Sequence, residues 1–309
     1  MQKTPKKVFL FADKKLGVGL GHMSRTKALA NLLKQNGYFT QVFDSTNLHS
    51  HNQMCDLIVI DSYILPINSY YQATSLAKVC IFFDDTLRLP YPQGILLNTS
   101  LGANLQSYRN KYPNHTLWIG EGYTLLQKPF LNLLNTPYKP LHKTLKNIII
   151  TLGGEDILDL TKWLCEVLYT FNPKFQIHYI HKDKHLLKIA KGYSNLNAMQ
   201  MTHLLSQMDL CICACGQTLS EAIACKVPTL GLEVASNQRA NLIGYENCIE
   251  SIKEVWKLHR EELKINLLES IAKLNDLSHR EMLTKRGYSL LRENTKWEKS
   301  FQALNALLE

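Results

Sequence analysis

The sequence predicts an α/β protein built from two doubly wound domains, each with a parallel sheet covered by helices. Short apolar runs alternate with segments of helical period along most of the chain, a pattern typical of βα units around a parallel sheet. The pattern restarts at Asn147, and a length of 309 residues fits two domains of about 150 residues each. We therefore predict an N-terminal domain over residues 1–135 and a C-terminal domain over residues 145–309.

In the first half of the chain, six short apolar runs predict six strands. A helix is predicted over residues 23–35, and Asn36 with Gly37 fits its C-terminal cap, because glycine readily adopts the left-handed conformation that such a cap needs. The predicted strands are residues 7–12, 38–43, 57–61, 79–83, 95–98 and 116–119.

The second half of the chain predicts a similar succession of strands and helices. Residues 128–146 contain three prolines and no clean period, so they are predicted to connect the domains. Predicted strands follow at 147–152, 176–181, 196–200, 209–213 and 227–232, with helices at 157–169, 202–208 and 218–224. Beyond residue 252 a leucine-rich, charged stretch of helical period predicts terminal helices, interrupted at Gly287.

Composition and charge indicate a folded protein with an anionic partner. The chain is 45% apolar and 20% charged, which is the balance of an ordinary globular protein and excludes a disordered or fibrous one. Its net charge is +9, and six of these nine charges fall between residues 86 and 154 rather than in a basic tail. This distribution favours a small anionic ligand in an interdomain cleft over nucleic acid.

The N-terminus and the cysteines predict a cytoplasmic protein. The apolar run that begins at Val8 is too short for the core of a signal peptide, and no run of about 20 apolar residues predicts a membrane span. The eight cysteines lie mostly within apolar strand or helix patterns, so reduced thiols are expected. We expect no metal and no cofactor, and the single apolar face of the terminal helices predicts a monomer.

A glycine-rich loop follows the first predicted strand and ends at a histidine. It contains Gly17, Gly19 and Gly21, and His22 stands where a dinucleotide-binding G-x-G-x-x-G motif would need its third glycine. The loop instead predicts a neutral imidazole at a helix N-terminus, at the sheet edge where ligands of such folds bind. This imidazole could accept a proton from water, and the alternative is that His22 only caps the helix.

Two features of the second half predict a nucleotide site. Gly153 and Gly154 follow a buried strand, so backbone N–H groups at the next helix could approach an anion closely. Residues 213–222 run from a strand through a small-residue turn into a helix, with Thr218 as the predicted N-cap. Glu221 then falls in the first helical turn. There its carboxylate could bind a ribose diol, or it could only interact favourably with the helix dipole.

Five motifs in their order and spacing resemble the UDP-sugar hydrolases of pseudaminic acid biosynthesis. They are the loop ending in Gly-His-x-x-Arg at Arg25, Asp84-Asp85, Gly153-Gly154, the turn to Thr218-x-x-Glu221-Ala222, and Asn237-Gln238. The resemblance covers about residues 7–250. It implies a GT-B-like fold, related to the MurG-like glycosyltransferases, with two Rossmann-like domains facing a cleft and C-terminal helices. It also implies hydrolysis of UDP-2,4-diacetamido-2,4,6-trideoxy-β-L-altropyranose.

The same resemblance implies roles for individual residues. His22 would activate water for attack at the anomeric carbon, so that the C1–O bond breaks with inversion and UDP leaves. Asp13 would orient the histidine or the sugar, and Tyr63 would line the sugar pocket. The residues implied in substrate binding are Gly19, Gly21, Arg25, Asp85, Gly153, Gly154, Gly216, Gln217, Thr218, Glu221, Asn237 and Gln238. Within this set the glycines of the second half and the 216–218 turn would hold uracil and diphosphate, and Glu221 would hold the ribose.

Departures from the family pattern leave two alternatives open. Phe11 stands where the family commonly has arginine, Lys14 and Lys15 replace a serine after Asp13, and Gln127 ends a segment that normally carries an arginine. The alternatives are a glycosyltransferase of the same architecture and a nucleotide-sugar-binding protein without catalysis. The resemblance assigns no function to the helical stretch beyond residue 250.

Overall fold

The computed structural model describes residues 5–14, 21–154, 156–293 and 296–309. The chain divides into two units: unit 1 comprises Met1–Gln127 with Asn294–Glu309, and unit 2 comprises Lys128–Glu293. Each unit contains a parallel sheet of six strands with flanking helices, so the predicted fold class is confirmed. Within the described ranges, no helix is both long and apolar enough to cross a membrane.

In unit 1 the strand order is β2-β1-β3-β4-β5-β6, so the order reverses at β1. All six strands predicted for this region are confirmed, with ends that differ by at most two residues. Gly37 has a φ of +85°, as the predicted left-handed cap requires. The elements are β1 (Lys7–Ala12), α1 (Gly21–Gln35), β2 (Phe39–Asp44), β3 (Cys55–Asp61), α2 (Ile67–Leu76), β4 (Ala77–Phe83), β5 (Ile95–Asn98), α3 (Leu105–Lys111) and β6 (Thr116–Ile119), with a 3-10 helix at Ser45–Ser50 after β2.

The sheet of unit 1 is buried on both faces. Along β1, Val8 and Leu10 pack in one cluster with Leu29 of α1, whereas Phe9 and Phe11 belong to a cluster on the opposite face. Covering both faces of a parallel sheet requires apolar side chains at consecutive positions, which is why its strands read as continuous apolar runs. Charged side chains are left to the strand ends.

In unit 2 the strand order is β12-β11-β10-β7-β8-β9. Short 3-10 helices lie at Ser236–Gln238 and Val255–Lys257. The elements are α4 (Lys128–Leu134), β7 (Asn147–Thr151), α5 (Thr161–Phe171), β8 (Gln176–Ile180), β9 (Lys191–Tyr193), α6 (Ala198–Leu205), β10 (Leu210–Ala214), α7 (Gln217–Ala224), β11 (Thr229–Leu232), α8 (Arg239–Tyr245), β12 (Glu250–Ile252), α9 (Arg260–Leu274) and α10 (Leu277–Arg292).

The strand predicted at 196–200 and the interruption predicted at Gly287 are both wrong. The strand predicted at 196–200 is the start of α6, because Asn197 and Gln200 form a reciprocal capping box: each side chain accepts the other residue's backbone N–H, at 2.9 and 3.0 Å. The predicted interruption at Gly287 is absent from α10, which is continuous there. A Cβ at Gly287 would lie 2.8 Å from Ile223 Cγ2, so the glycine permits close packing of α10 on α7.

The last helix, α11 (Lys296–Leu307), belongs to unit 1. Its apolar side chains Trp297, Phe301 and Leu304 are buried in the same cluster as Leu29 and Trp118. The division of the chain therefore differs from the predicted boundaries, which placed all terminal helices in the C-terminal domain and residues 128–135 in the N-terminal one. A period of 3.6 residues shows that a helix has one apolar face, but it does not show which sheet that face covers.

Candidate functional site

The carboxyl edge of the sheet in unit 1 carries several acidic side chains. Asp13 follows β1, Asp61 ends β3, and Asp84 and Asp85 follow β4. The helix α1, which begins at Gly21, brings its first turn to the same edge. Because the strand order reverses at β1, this is the position at which ligands bind in doubly wound sheets.

His22 and Asp61 form a buried pair at this edge. His22 Nδ1 lies 2.5 Å from Asp61 Oδ1, and the two residues are 6% and 0% exposed. A carboxylate on Nδ1 holds the proton there, so the lone pair resides on Nε2, the arrangement of a general base. Burial alone would raise the pKa of Asp61, but the charge of Arg25 and the hydrogen bonds from Arg25 and His22 outweigh it and hold that pKa well below its usual range. Asp61 is therefore ionised at neutral pH.

Arg25 joins this pair to a second carboxylate. Its Nε and Nη2 atoms donate to the two oxygens of Asp61 at 2.7 and 2.6 Å, and Nη1 donates to both oxygens of Asp85 at 2.9 Å. Burial opposes the charge, but the two carboxylates outweigh it and raise the pKa of Arg25. These contacts make Arg25 a positioning residue for the pair, and its predicted contact with substrate stays a prediction.

Tyr63 lies next to His22 in the structure, and the resemblance implied a role near the sugar for both residues. The two rings pack edge to face with their centroids 4.5 Å apart. The Tyr63 hydroxyl donates to Asp85 Oδ2 at 2.5 Å, so Asp85 receives hydrogen bonds from both Arg25 and Tyr63. The Asp85 carboxylate therefore fixes the tyrosine beside the imidazole.

Asp13 bonds to the segments after β2 and β3, and its implied role of orienting the histidine or the sugar stays a prediction. Its carboxylate accepts hydrogen bonds from Ser45 Oγ at 2.6 Å and from the backbone N–H of Tyr63 at 2.7 Å, and so it joins the loops after β2 and β3. Among the residues described, it is Asp61 that bonds to the imidazole of His22. Sequence reasoning named Asp61 only as a strand end. The available signal was a carboxylate that ends an apolar run in the strand beside β1.

Asp84 and Asp85, which the sequence analysis treated as one motif, have different partners. Whereas Asp85 faces Arg25 and Tyr63, Asp84 Oδ1 accepts the backbone N–H of Arg88 at 3.0 Å and caps the turn after β4. Burial raises the pKa of Asp84. Of the glycines predicted in this half of the site, Gly21 is the first residue of α1, and Gly19 lies outside the described residues.

The corresponding edge of unit 2 is dominated by backbone turns. Gly153, after β7, has a φ of +87°, which glycine adopts without strain. A carboxylate of the protein already occupies part of the helix start at which the sequence predicts an anion. The Asp156 carboxylate accepts the backbone N–H groups of Leu160 and Thr161, at 3.0 and 2.8 Å, where α5 begins. The Gly153-Gly154 backbone remains the predicted contact here.

The turn between β10 and α7 has a more open helix start. Gly216 is the N-cap and makes no side-chain hydrogen bond to the helix, so the prediction of Thr218 as N-cap is wrong. Gly216, Gln217 and Thr218 are partly exposed. Glu221 lies in the second turn of α7 rather than the first, and it is buried at 7% exposure.

Gln238 lies beside this turn, whereas Asn237 is exposed on the 3-10 helix after β11. Gln238 Oε1 accepts the backbone N–H of Val234 at 3.1 Å, and its Nε2 lies 4.0 Å from the position that a Cβ would take on Gly216. The structure thus brings two predicted residues, Gly216 and Gln238, together within unit 2.

Glu233 is a residue at this edge that sequence reasoning missed. It is fully buried at the end of β11, bonds to Arg239 Nε and accepts the backbone N–H of Glu254 at 2.9 Å. Arg239 Nη2 also lies 3.1 Å from Glu254 Oε1. Because Glu233 and Arg239 flank the 234–238 turn, their ion pair fixes the segment that carries Asn237 and Gln238. As with Asp61, the signal was a carboxylate directly after a buried strand.

Within the part of the chain that the structure describes, no group of three or more histidine, cysteine, aspartate or glutamate side chains could hold a metal ion.

The fold defines the class of protein. Two units with parallel six-stranded sheets are the GT-B architecture, and solved glycosyltransferases share it. A glycosyltransferase from Rickettsia africae aligns with a TM-score of 0.63 at 11% identity, over 99% of both chains. Acinetobacter baumannii MurG aligns with a TM-score of 0.56 at 15% identity, over 92% of this chain and 95% of that one. Anabaena HepE, solved with UDP-glucose, gives 0.56 at 10% identity, over 96% of this chain and 100% of that one.

Sequence similarity points to a narrower group. The chain is 27% identical over 243 residues to the pseudaminic acid cytidylyltransferase and UDP-2,4-diacetamido-2,4,6-trideoxy-β-L-altropyranose hydrolase of Helicobacter pylori, covering 75% of this chain and 45% of that protein. It is 25% identical over 305 residues to an uncharacterized protein of Methanocaldococcus jannaschii, covering 84% and 60%. The chain thus spans about half the length of the curated relatives it matches. No family model matches it. The resemblance predicted from the five motifs is confirmed by these similarities.

Proposed function

We propose that this chain hydrolyses UDP-2,4-diacetamido-2,4,6-trideoxy-β-L-altropyranose to UDP and the free sugar, with inversion at the anomeric carbon. The observation that carries the proposal is the buried His22–Asp61 pair at the ligand edge of unit 1. A histidine whose Nδ1 proton is held by an ionised carboxylate has its Nε2 lone pair available for a water molecule.

The reaction needs one proton acceptor and one leaving group. Water attacks C1, its proton passes to His22 Nε2, and the C1–O bond breaks with its electron pair going to UDP. Asp61 stabilises the imidazolium that forms, and Arg25 keeps Asp61 ionised and in place. The proton then leaves His22 for solvent, which restores the base. General base catalysis of this kind contributes about 10²- to 10⁴-fold to the rate.

Unit 2 has the features that suit the nucleotide. We assign the diphosphate and uracil to the Gly153-Gly154 backbone and the 216–218 turn, the ribose to Glu221, and the sugar or diphosphate to Asn237 and Gln238. The support is that α7 begins directly after Gly216, and the N-terminus of a helix favours an anion. The Helicobacter pylori relative, whose name includes this hydrolase activity, supports the choice of substrate.

A mass-spectrometric assay in ¹⁸O-labelled water tests the proposal. The purified chain is incubated with the UDP-sugar and no acceptor, and the masses of the products are measured. We expect free sugar together with UDP that carries no ¹⁸O, because C1–O cleavage places the water oxygen on the sugar. Label in the UDP phosphate would contradict attack at C1. Proton NMR during the first turnovers should show the inverted anomer before mutarotation.

Glycosyl transfer is the second candidate, because the solved structures of this fold compared above include glycosyltransferases. A transferase would release UDP only when an acceptor alcohol is added to the assay. A chain that binds UDP in calorimetry but turns over the UDP-sugar neither with water nor with acceptors would support the third reading, a binding protein without catalysis.

A further inference from the structure

The terminal helix α11, to which the resemblance assigns no function, contacts the segment of residues 123–127. Trp297 Nε1 donates to the backbone oxygen of Thr124 at 3.4 Å, and the hydroxyls of Tyr123 and Ser300 lie 3.2 Å apart. The rings of Trp297 and Tyr123 pack edge to face, with centroids 5.4 Å apart. Leu125 is buried in the cluster that also contains Trp297. The start of this segment is therefore held against α11 by packing and by two polar contacts.

The other end of the segment reaches the helix that carries His22. Gln127 Nε2 donates to Ser24 Oγ at 3.0 Å, and Ser24 lies between His22 and Arg25 in the first turn of α1. The same cluster that contains Leu125 and Trp297 also contains Leu29, five residues beyond Ser24 in α1. The 123–127 segment thus joins α11 to the first turn of α1.

Side-chain contacts with other segments hold the first turn of α1. Gly21 is the first residue of this helix, and glycine has more backbone freedom to lose on ordering than any other residue. The contacts of the side chains that follow it therefore help to set where the imidazole lies. Arg25 and Thr26 bond to Asp61, which fixes the side of the turn that faces β3. Gln127 supplies a further hydrogen bond, from a different segment, to Ser24.

We propose that Gln127 is a positioning residue for His22, held in place by α11. This inference rests on the proposed function for its kinetic consequence, since His22 must act as base for its position to change kcat. The amide of Gln127 touches Ser24 rather than reacting atoms, so its effect should appear in kcat, through the alignment of the imidazole, and not in the affinity for UDP.

A double-mutant cycle tests the inference. Gln127→Met keeps the length of the side chain and removes the donor, and we expect kcat to fall about three- to tenfold with KM and UDP affinity unchanged, the size of one lost hydrogen bond. Combining it with Ser24→Ala should lower kcat no further than the more damaging single change. Gln127→Glu should retain most of the activity, because the Ser24 hydroxyl can donate to the carboxylate. Unchanged kcat in Gln127→Met, or fully additive effects, would overturn the inference.

Hydrogen–deuterium exchange of the free protein separates this inference from the proposed function. Amides of residues 22–27 should exchange faster in Gln127→Met than in the wild type. Gln106→Met is the matched control, because Gln106 is exposed in α3 and bonds only to Asn110 among the residues described. If the wild type does not hydrolyse the UDP-sugar, the proposed function is refuted. Faster exchange in Gln127→Met would in that case still support the positioning role. Unchanged exchange at residues 22–27 would refute the positioning role whatever the wild-type activity.

Discussion

The two units each have a parallel six-stranded sheet, but the carboxyl edges of the two sheets differ in strand order and in chemistry. In unit 1 the edge consists of side chains that pair with one another, with Arg25 between Asp61 and Asp85 and the imidazole of His22 against Asp61. In unit 2 the edge consists of a positive-φ glycine and a helix start capped by Gly216. Mutual pairing fixes side chains for a reaction, whereas the N-terminus of a helix favours an anionic ligand.

The charges of unit 1 sharpen this contrast. Asp61, Asp85 and Arg25 together carry one net negative charge, which the imidazolium formed by proton transfer would neutralise. Such fixed charges need not reorganise during the reaction. In unit 2 the buried Glu233 pairs with the partly exposed Arg239, and this balanced ion pair anchors the 234–238 turn. We therefore expect substitutions in unit 1 to change kcat and substitutions in unit 2 to change affinity.

The largest expected effect is that of His22→Asn. Removing the base should lower kcat by about 10²- to 10⁴-fold, while the affinity for UDP, measured by calorimetry, stays the same. His49→Asn is the matched control, because His49 is exposed in unit 1. If His22→Asn retains wild-type turnover, His22 has no part in the mechanism and the contrast between the two edges loses its chemical basis.

Asp61→Asn should have the next largest effect. The amide cannot balance the charge of Arg25 or hold the Nδ1 proton of His22 in the same way, so we expect kcat to fall about 100-fold. Breaking a buried ion pair should also lower the free energy of unfolding by about 3 kcal/mol. Kinetics and urea denaturation measure the two losses. A variant with reduced stability but full kcat would make Asp61 a structural residue only.

The same variant gives a test through pH. The folded-state pKa of Asp61 is lowered, so its stabilising contribution is complete above the unfolded pKa of about 3.9 and is lost as pH falls from there toward the folded value. The difference in unfolding free energy between wild type and Asp61→Asn should therefore be constant from pH 7 to 5 and shrink toward pH 3. A difference that stays constant down to pH 3 would mean that Asp61 is not ion-paired in solution.

Asp61 also shows where sequence reasoning ends. The strands of unit 1 were predictable because both faces of the sheet are buried, and the place of His22 at a helix start was predictable from the glycine-rich sequence before it. The contact of His22 with Asp61 spans 39 positions and depends on β1 lying beside β3, with Ala12 opposite Asp61. No local pattern records that register. The same holds for α11. The sequence predicted that this helix has one apolar face, but it did not predict that the helix belongs to unit 1.

Glu221→Ala tests the nucleotide side. If this buried carboxylate binds the ribose, its loss should weaken UDP binding by about 1 to 3 kcal/mol, the cost of losing hydrogen bonds to a charged group. Calorimetry with UDP measures the change, and kcat at saturating substrate should be almost unaltered. Glu246→Ala, on an exposed residue after α8, is the control. Unchanged affinity would remove Glu221 from the ribose site.

The smallest expected effect separates the two glycine positions of unit 2. Gly153 has a φ of +87°, so Gly153→Ala forces an alanine into the left-handed region and should lower the free energy of unfolding by about 1 kcal/mol. Gly216 has a negative φ of −88°, outside the left-handed region, so Gly216→Ala should change stability less than Gly153→Ala does, by about 0.5 kcal/mol. Its new methyl group would lie 4.0 Å from the amide of Gln238, at the helix start assigned to the diphosphate, and should weaken UDP binding. Equal stability losses in the two variants would show that backbone conformation does not distinguish these turns, and unchanged UDP affinity in Gly216→Ala would place the diphosphate elsewhere.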